Sequence, residues 1–179
     1  MEFCPEGARN LAKRNDADKE KRNRLVILST TATTIVMKSN SRLIFIVDDD
    51  PDDRQIILDA FLEKNPQIDY VFMENAENLL QTLYSEEAEY PALILLDLNM
   101  PGMLGLQALK EIRNNKKFSQ IPIIVLTTST LHQDRRASYE LGAACFVRKP
   151  DSFGELVEIT DSIVKLWLYE DHVPVEKIQ

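Results

Sequence analysis

From Arg42 onward, short apolar runs alternate five times with segments of helical spacing. "LIFIV" (43–47), "DYVFMEN" (69–75), "ALILL" (92–96), "PIIVLT" (122–127) and "ACFV" (144–147) read as strands. Unbroken apolar runs such as the first and third suit strands buried on both faces. Between them, residues 53–65, 76–86, 105–115 and 131–141 place apolar side chains at helical intervals, as Ile56, Ile57, Ala60 and Phe61 do in the first. A last helix runs from Ser152 to about Glu170. Asn65-Pro66 ends the first helix and Gly142 the fourth, while Thr130 with Gln133 and Ser152 with Glu155 have the spacing of capping boxes. This alternation predicts an α/β chain, a doubly wound five-stranded parallel sheet with helices on both faces. Such sheets bind ligands beyond the carboxyl ends of their strands, where the strand order switches.

One strand end is unusual. "DDDPDD" (48–53) puts five carboxylates into six positions directly after the first strand. A solvated acidic loop, or an Asp52 that merely caps the next helix, would account for part of it. Asp97 ends the third strand, however, and in this architecture joins Asp48 and Asp49 in one crevice. Crowded carboxylates away from water stay ionised only if a cation compensates them. All-oxygen donors without Cys or His suit Mg²⁺, which takes one or two carboxylates, waters and a phosphate oxygen.

The rest of the chain narrows the setting. The formal charge is −8, yet residues 1–40 hold eight Lys/Arg against five Asp/Glu, so everything after them carries −11. So acidic a body, without a Lys/Arg stripe, argues against direct nucleic-acid binding. Cys4 and Cys145 do not make a disulfide framework, which fits a reducing cytoplasm. The longest uncharged stretch, Leu25–Met37, is too short and too rich in Ser and Thr to cross a bilayer. "KRNDADKEKRNR" has no apolar period, and residues 1–36 are expected to be a disordered or non-structural leader. Within it "LVILSTTATTIVM" reads either as a short extra strand or as tail, and Met37 opens a stretch that itself reads as a protein start. The domain is expected over 42–170 and a tail over 171–179, with no output domain following.

Four segments in register, "VDDDPDDR" (47–54), "LLDLNMPGMLG" (95–105), "VLTTST" (125–130) and "GAACFVRKP" (142–150), resemble the receiver domain of two-component response regulators. "LDLNMPGMLGLQALKEI" and "VKLWL" resemble its single-domain, phytochrome-associated branch. The resemblance implies the flavodoxin-like (βα)5 receiver fold and a stand-alone response regulator rather than an enzyme. It implies that Asp97 accepts a phosphoryl group from a histidine kinase or phosphotransfer protein. Mg²⁺ would be held by Asp49 directly, Asp48 through water, Asp97, and the backbone carbonyl of Asn99. Thr127 would bond the phosphoryl group and Lys149 would pair with the acceptor or its phosphate. Phe146 stands at the position of the reporting aromatic ring; as a Phe it has no hydroxyl to turn outward. Asp151 departs from the family, which places Phe after the Lys-Pro pair.

Other readings fit less well. A Mg²⁺-dependent aspartyl-phosphate phosphatase of the haloacid dehalogenase type needs Thr or Val where Asp52 stands. A calcium loop needs Gly at Asp53 and Glu at Asp59. A flavin-mononucleotide carrier shares the architecture, but its first loop must cradle a phosphate that these carboxylates would repel. A receiver-like binding module that is not phosphorylated remains the alternative. Finally, Leu156, Ile159, Thr160, Ile163 and Trp167 form one apolar stripe on the last helix, and Phe153, Val157, Val164 and Leu168 a second. The second stripe is expected to serve self-association through the fourth helix, fifth predicted strand and fifth helix.

Overall fold

The five residues that open the predicted domain, Leu43–Val47, are each at most 6% exposed, as a strand covered on both faces requires. They end a longer strand. In the computed structural model, which describes residues 24–28, 35–85 and 89–168, the order is β1 (Arg24–Leu28), β2 (Ile35–Val47), α1 (Pro51–Lys64), β3 (Asp69–Met73), α2 (Ala76–Tyr84), β4 (Tyr90–Leu96), α3 (Gly105–Asn114), β5 (Ile123–Thr127), α4 (His132–Glu140), β6 (Cys145–Arg148) and α5 (Phe153–Trp167).

All five predicted strands are present and parallel. Ile44 pairs with Tyr70 of β3 on one side and Leu93 of β4 on the other, and β5 and β6 follow beyond β4. The chain thus leaves β2 toward β3, then crosses to its other side for β4. The switch in strand order lies between β2 and β4, whose ends carry Asp48 and Asp97. A sixth strand is added: β1 runs antiparallel to residues 35–39, the lower half of β2. Of the two readings of Leu25–Met37, the extra strand is the one seen over 24–28. The rest of the expected leader and the expected tail, residues 1–23, 29–34 and 171–179, lie outside the described residues.

Alternation along the strands divides the core in two. Phe45, Val47, Ile94, Leu96 and Val125 face α2 and α3, meeting Leu79, Leu83, Leu109 and Ile112. Ile44, Ile46, Leu93, Leu95, Ile124 and Leu126 face α1 and α5. There Leu58 and Phe61 meet Leu156, Val157, Ile163 and Val164. Ile57 and Phe61 are buried as the spacing predicts, but Ile56 is 46% exposed because α1 packs on a narrower stripe.

Two expectations need correction. Val157 and Val164 are 7% and 2% exposed, so the middle of the second stripe of α5 is already covered, Leu168 is half-buried, and Phe153 alone of the four is exposed. The helix packs against both the sheet and α1, and a wide apolar arc is what two neighbours require. The Thr130–Gln133 capping box is also absent. The N-cap of α4 is Leu131, and the loop is tied instead by Ser129, whose hydroxyl donates to Asp134 and accepts from the Leu131 N–H. The other capping residue holds: Ser152 accepts from the Glu155 N–H at 3.3 Å.

Candidate functional site

The β2–α1 turn is built by one carboxylate. Asp50 is the N-cap of α1 and accepts from the N–H groups of Asp52 and Asp53, while Pro51 takes a first-turn position where a missing N–H costs nothing. Asp50, not Asp52, is therefore the capping residue. Asp48 lies deeper, its N–H bonded to the Met73 carbonyl and its side chain 3% exposed. Asp97 continues β4 with its N–H on the Val47 carbonyl, and its Oδ1 accepts from the Leu98 N–H at 2.8 Å, which fixes the carboxylate plane. Each of Asp48, Asp49 and Asp97 can offer an oxygen within 4.8 Å of the other two. Asp48 and Asp97 are buried and Asp49 is exposed.

Three hard oxygen donors at that spacing fit a small divalent cation, and the electrostatics call for one. Burial, the largest influence, pushes the Asp48 carboxyl above its ordinary range. The hydrogen bond and charge of Lys149 oppose that rise without cancelling it, and the neighbouring Asp97 adds to it. Lys149 sits 2.6 Å from Asp48 Oδ2 and 2.6 Å from Asp53 Oδ2. Burial, the largest single influence, would lower its pKa, but these two hydrogen bonds together with the charges of Asp48 and Asp97 hold the ammonium above its usual value.

The facing loops complete the pocket. The Lys149 N–H bonds to the Thr127 carbonyl at 2.8 Å, which sets β6 against β5 at the rim. The Asn99 amide donates to Thr127 Oγ1 at 3.5 Å and Thr128 Oγ1 at 3.3 Å. Thr127 is fully buried, and its hydroxyl also accepts from the Ser129 N–H. Gly105 opens α3 directly against Asp97: a Cβ there would lie 2.2 Å from the Asp97 carbonyl oxygen, so glycine is required for the close approach. Phe146 lies farther off on β6, half-buried, with its N–H donating to the Tyr139 hydroxyl.

Six of the seven sequence-predicted residues, Asp48, Asp49, Asp97, Asn99, Thr127 and Lys149, are linked in one pocket by these contacts. Phe146 packs beside it rather than in it. Sequence reasoning missed three supports. Arg54, only 8% exposed, donates to the carbonyls of Asp48 (2.5 Å) and Asp49 (3.2 Å), a permanent cation beneath the turn. Glu77 of α2 accepts from the Met103 N–H at 2.9 Å and so props the loop that follows Asp97. Asp53 is the third. Its place in the acidic run was visible, but its partner lies 96 residues away.

Residues 44–161 match the family model for the response regulator receiver domain. The chain belongs to that family. This receiver domain is 41% identical over 83 residues to the response regulator Rcp1 of Synechocystis sp., a match covering 46% of this chain and 56% of Rcp1. It thus spans about half the length of the curated relative it matches. Among solved structures, the phosphorylated cyanobacterial phytochrome response regulator RcpA superposes with a TM-score of 0.68 at 31% identity, over 74% of this chain and 98% of RcpA. The Mn²⁺-bound form of Rcp1 gives 0.66 at 29% identity, over 74% and 99%. These matches carry the flavodoxin-like receiver fold. No helix among the described residues is long and apolar enough to cross a membrane.

Proposed function

We propose that Asp97 is the phosphoacceptor of a stand-alone response regulator, loaded from phosphohistidine in a Mg²⁺-dependent reaction. The observation that carries the reading is one buried carboxylate at a strand end, with two further carboxylates and an ammonium gathered around it. Asp48, Asp49, Asp97 and the Asn99 carbonyl would hold the cation, which offsets charge on the phosphoryl oxygens when bound. Attack by an Asp97 oxygen forms an O–P bond and breaks the P–N bond, whose electron pair returns to the imidazole. The protein's contribution is positioning and electrostatics. The Leu98 N–H orients the carboxylate, Lys149 offsets the approaching charge, and Thr127, freed from the Asn99 amide, bonds the transferred group. Phe146 and α4 then repack.

Phosphohistidine on a kinase or phosphotransfer protein is the donor in this reading, in the cytoplasm and with no enzymatic turnover of its own. The likeness to Rcp1 and RcpA supports a phytochrome-type kinase upstream. Pairing of two copies through α4, β6 and α5 stays in the proposal, resting on exposed Leu131, Tyr139 and Leu166 instead of Val157 and Val164. Light scattering that finds only monomer at micromolar concentration, with and without phosphodonor, removes that part. The central test is intact mass after acetyl phosphate treatment. One phosphate adduct is expected, lost in Asp97→Asn and in excess EDTA; an equal adduct in either overturns the reading.

A further inference from the structure

Lys149 holds two carboxylates, and only one of them belongs to the cation-binding trio. Among the described residues its ammonium bonds to Asp48 and Asp53 and makes no hydrogen bond to Asp97. The lysine side chain is 13% exposed, Asp48 3% and Asp53 38%. Asp53 is fixed at the first turn of α1, where its N–H is bound by the Asp50 cap. A carboxylate so placed and so open to solvent is not needed to fill the core. It also lies outside the group of oxygens that can converge on one cation.

The two contacts therefore respond differently when a divalent cation enters. The cation competes with the ammonium for Asp48, and two positive charges drawn to one carboxylate repel each other. Asp53 is the partner that stays available. We propose that Asp53 is a positioning residue that keeps Lys149 at the pocket rim once Asp48 turns to the cation, so that the ammonium is in place when a phosphoryl group arrives. Without it a flexible four-carbon side chain must be ordered anew at each transfer. This rests on the phosphoacceptor reading of Asp97, and goes beyond it in assigning Asp53 a part.

Spectra of the full chain labelled with ¹⁵N at the lysine ammonium groups test the placement without any turnover. In the unmodified protein the Lys149 signal, assigned through Lys149→Met, stays protected from exchange before and after MgCl₂ is added. In Asp53→Asn it stays protected without magnesium, through Asp48, and merges with the exposed lysines when magnesium is added; Asp53→Glu restores it. A protected Lys149 signal in magnesium-loaded Asp53→Asn overturns the proposal. Initial rates with acetyl phosphate supply the second arm. Asp53→Asn is expected to slow adduct formation roughly three- to tenfold, as loss of one charge-assisted contact would. In a Lys149→Met background the same change should cost nothing more, and equal losses in both backgrounds overturn the coupling. If the unmodified protein forms no Asp97 adduct, the phosphoacceptor reading fails, and the spectra alone decide the placement of Lys149.

Discussion

The two flanks of the sheet are held to very different degrees. On the α1–α5 side, six residues of α5 are buried, and Thr160 Oγ1 reaches the Ala60 carbonyl at 3.0 Å across the helix pair. Lys64 reaches Glu158 and Asp161 outside that contact. On the α4–β6 side, Ser138 is the buried residue of the helix, Leu131 and Tyr139 are exposed, and all four residues of β6 are half-buried or exposed. A groove of about 350 Å³ runs there between Leu131, Arg135, Phe146 and Arg148. Both flanks touch the pocket, one through Asp53, the other through Thr127 and Ser129, and Lys149 at the end of β6 joins them by its ammonium on Asp53 and its N–H on Thr127. Only the lightly buried flank can repack without first breaking a core, so it is where a local charge change can become a change of shape.

The largest contrast should come from one substitution on each flank. Val164→Glu puts a carboxylate where 2% of the residue is exposed and is expected to cost more than about 4 kcal/mol, erasing a cooperative urea transition. Leu131→Glu, at 61% exposure, should shift the midpoint by less than about 0.5 kcal/mol. Equal effects would mean that α4 is as much a part of the core as α5. A smaller difference is expected in native-state hydrogen exchange, where α4 amides should open with a free energy about 2 kcal/mol below those of α1 and α5. Matching protection would remove the reason to place the conformational change at α4.

The smallest effect sharpens the comparison at the boundary of the tight flank. The Asp48 carboxyl is raised by burial, so it favours the fold when protonated, below its unfolded value near pH 3.8, and that contribution is lost as pH rises through the folded value. Asp48→Asn should therefore stabilise the metal-free protein at pH 7, with the gain shrinking as pH falls through the folded value and gone by about pH 3.8. A loss at pH 7 in urea titrations would show that the ion pair with Lys149 outweighs the burial.

The strands were legible in the sequence because a parallel sheet buried on both faces demands unbroken apolar runs, and "LIFIV" and "ALILL" are such runs. Asp48, Asp49 and Asp97 were legible because this architecture brings strand ends together, whereas Asn99, Thr127 and Lys149 were reached through the resemblance to the receiver family. What could not be read is whatever depends on the distance between elements. The wide apolar arc of α5 is equally the mark of a free face and of a helix with two neighbours, and only the position of α1 at Val157 and Val164 decides. Asp53 and Glu77 look like ordinary charges in the first turns of their helices until Lys149 and the Met103 N–H arrive from remote segments. The Thr130–Gln133 spacing failed for a different reason: Ser129, next to Thr130, makes the competing local bonds.

The depth of the Lys149–Asp48 contact has a consequence for the ionic medium. Surface pairs such as Arg136–Glu140 and Lys64–Glu158 have partners open to water, and dissolved salt weakens them over a Debye length of about 8 Å at physiological strength. The lysine in the pocket is 13% exposed and its carboxylate partner 3%, so mobile counterions reach it poorly. Dissolved sodium and potassium should therefore weaken the Lys149–Asp48 pair less than those surface pairs, while the more open contact with Asp53 stays within reach of the electrolyte.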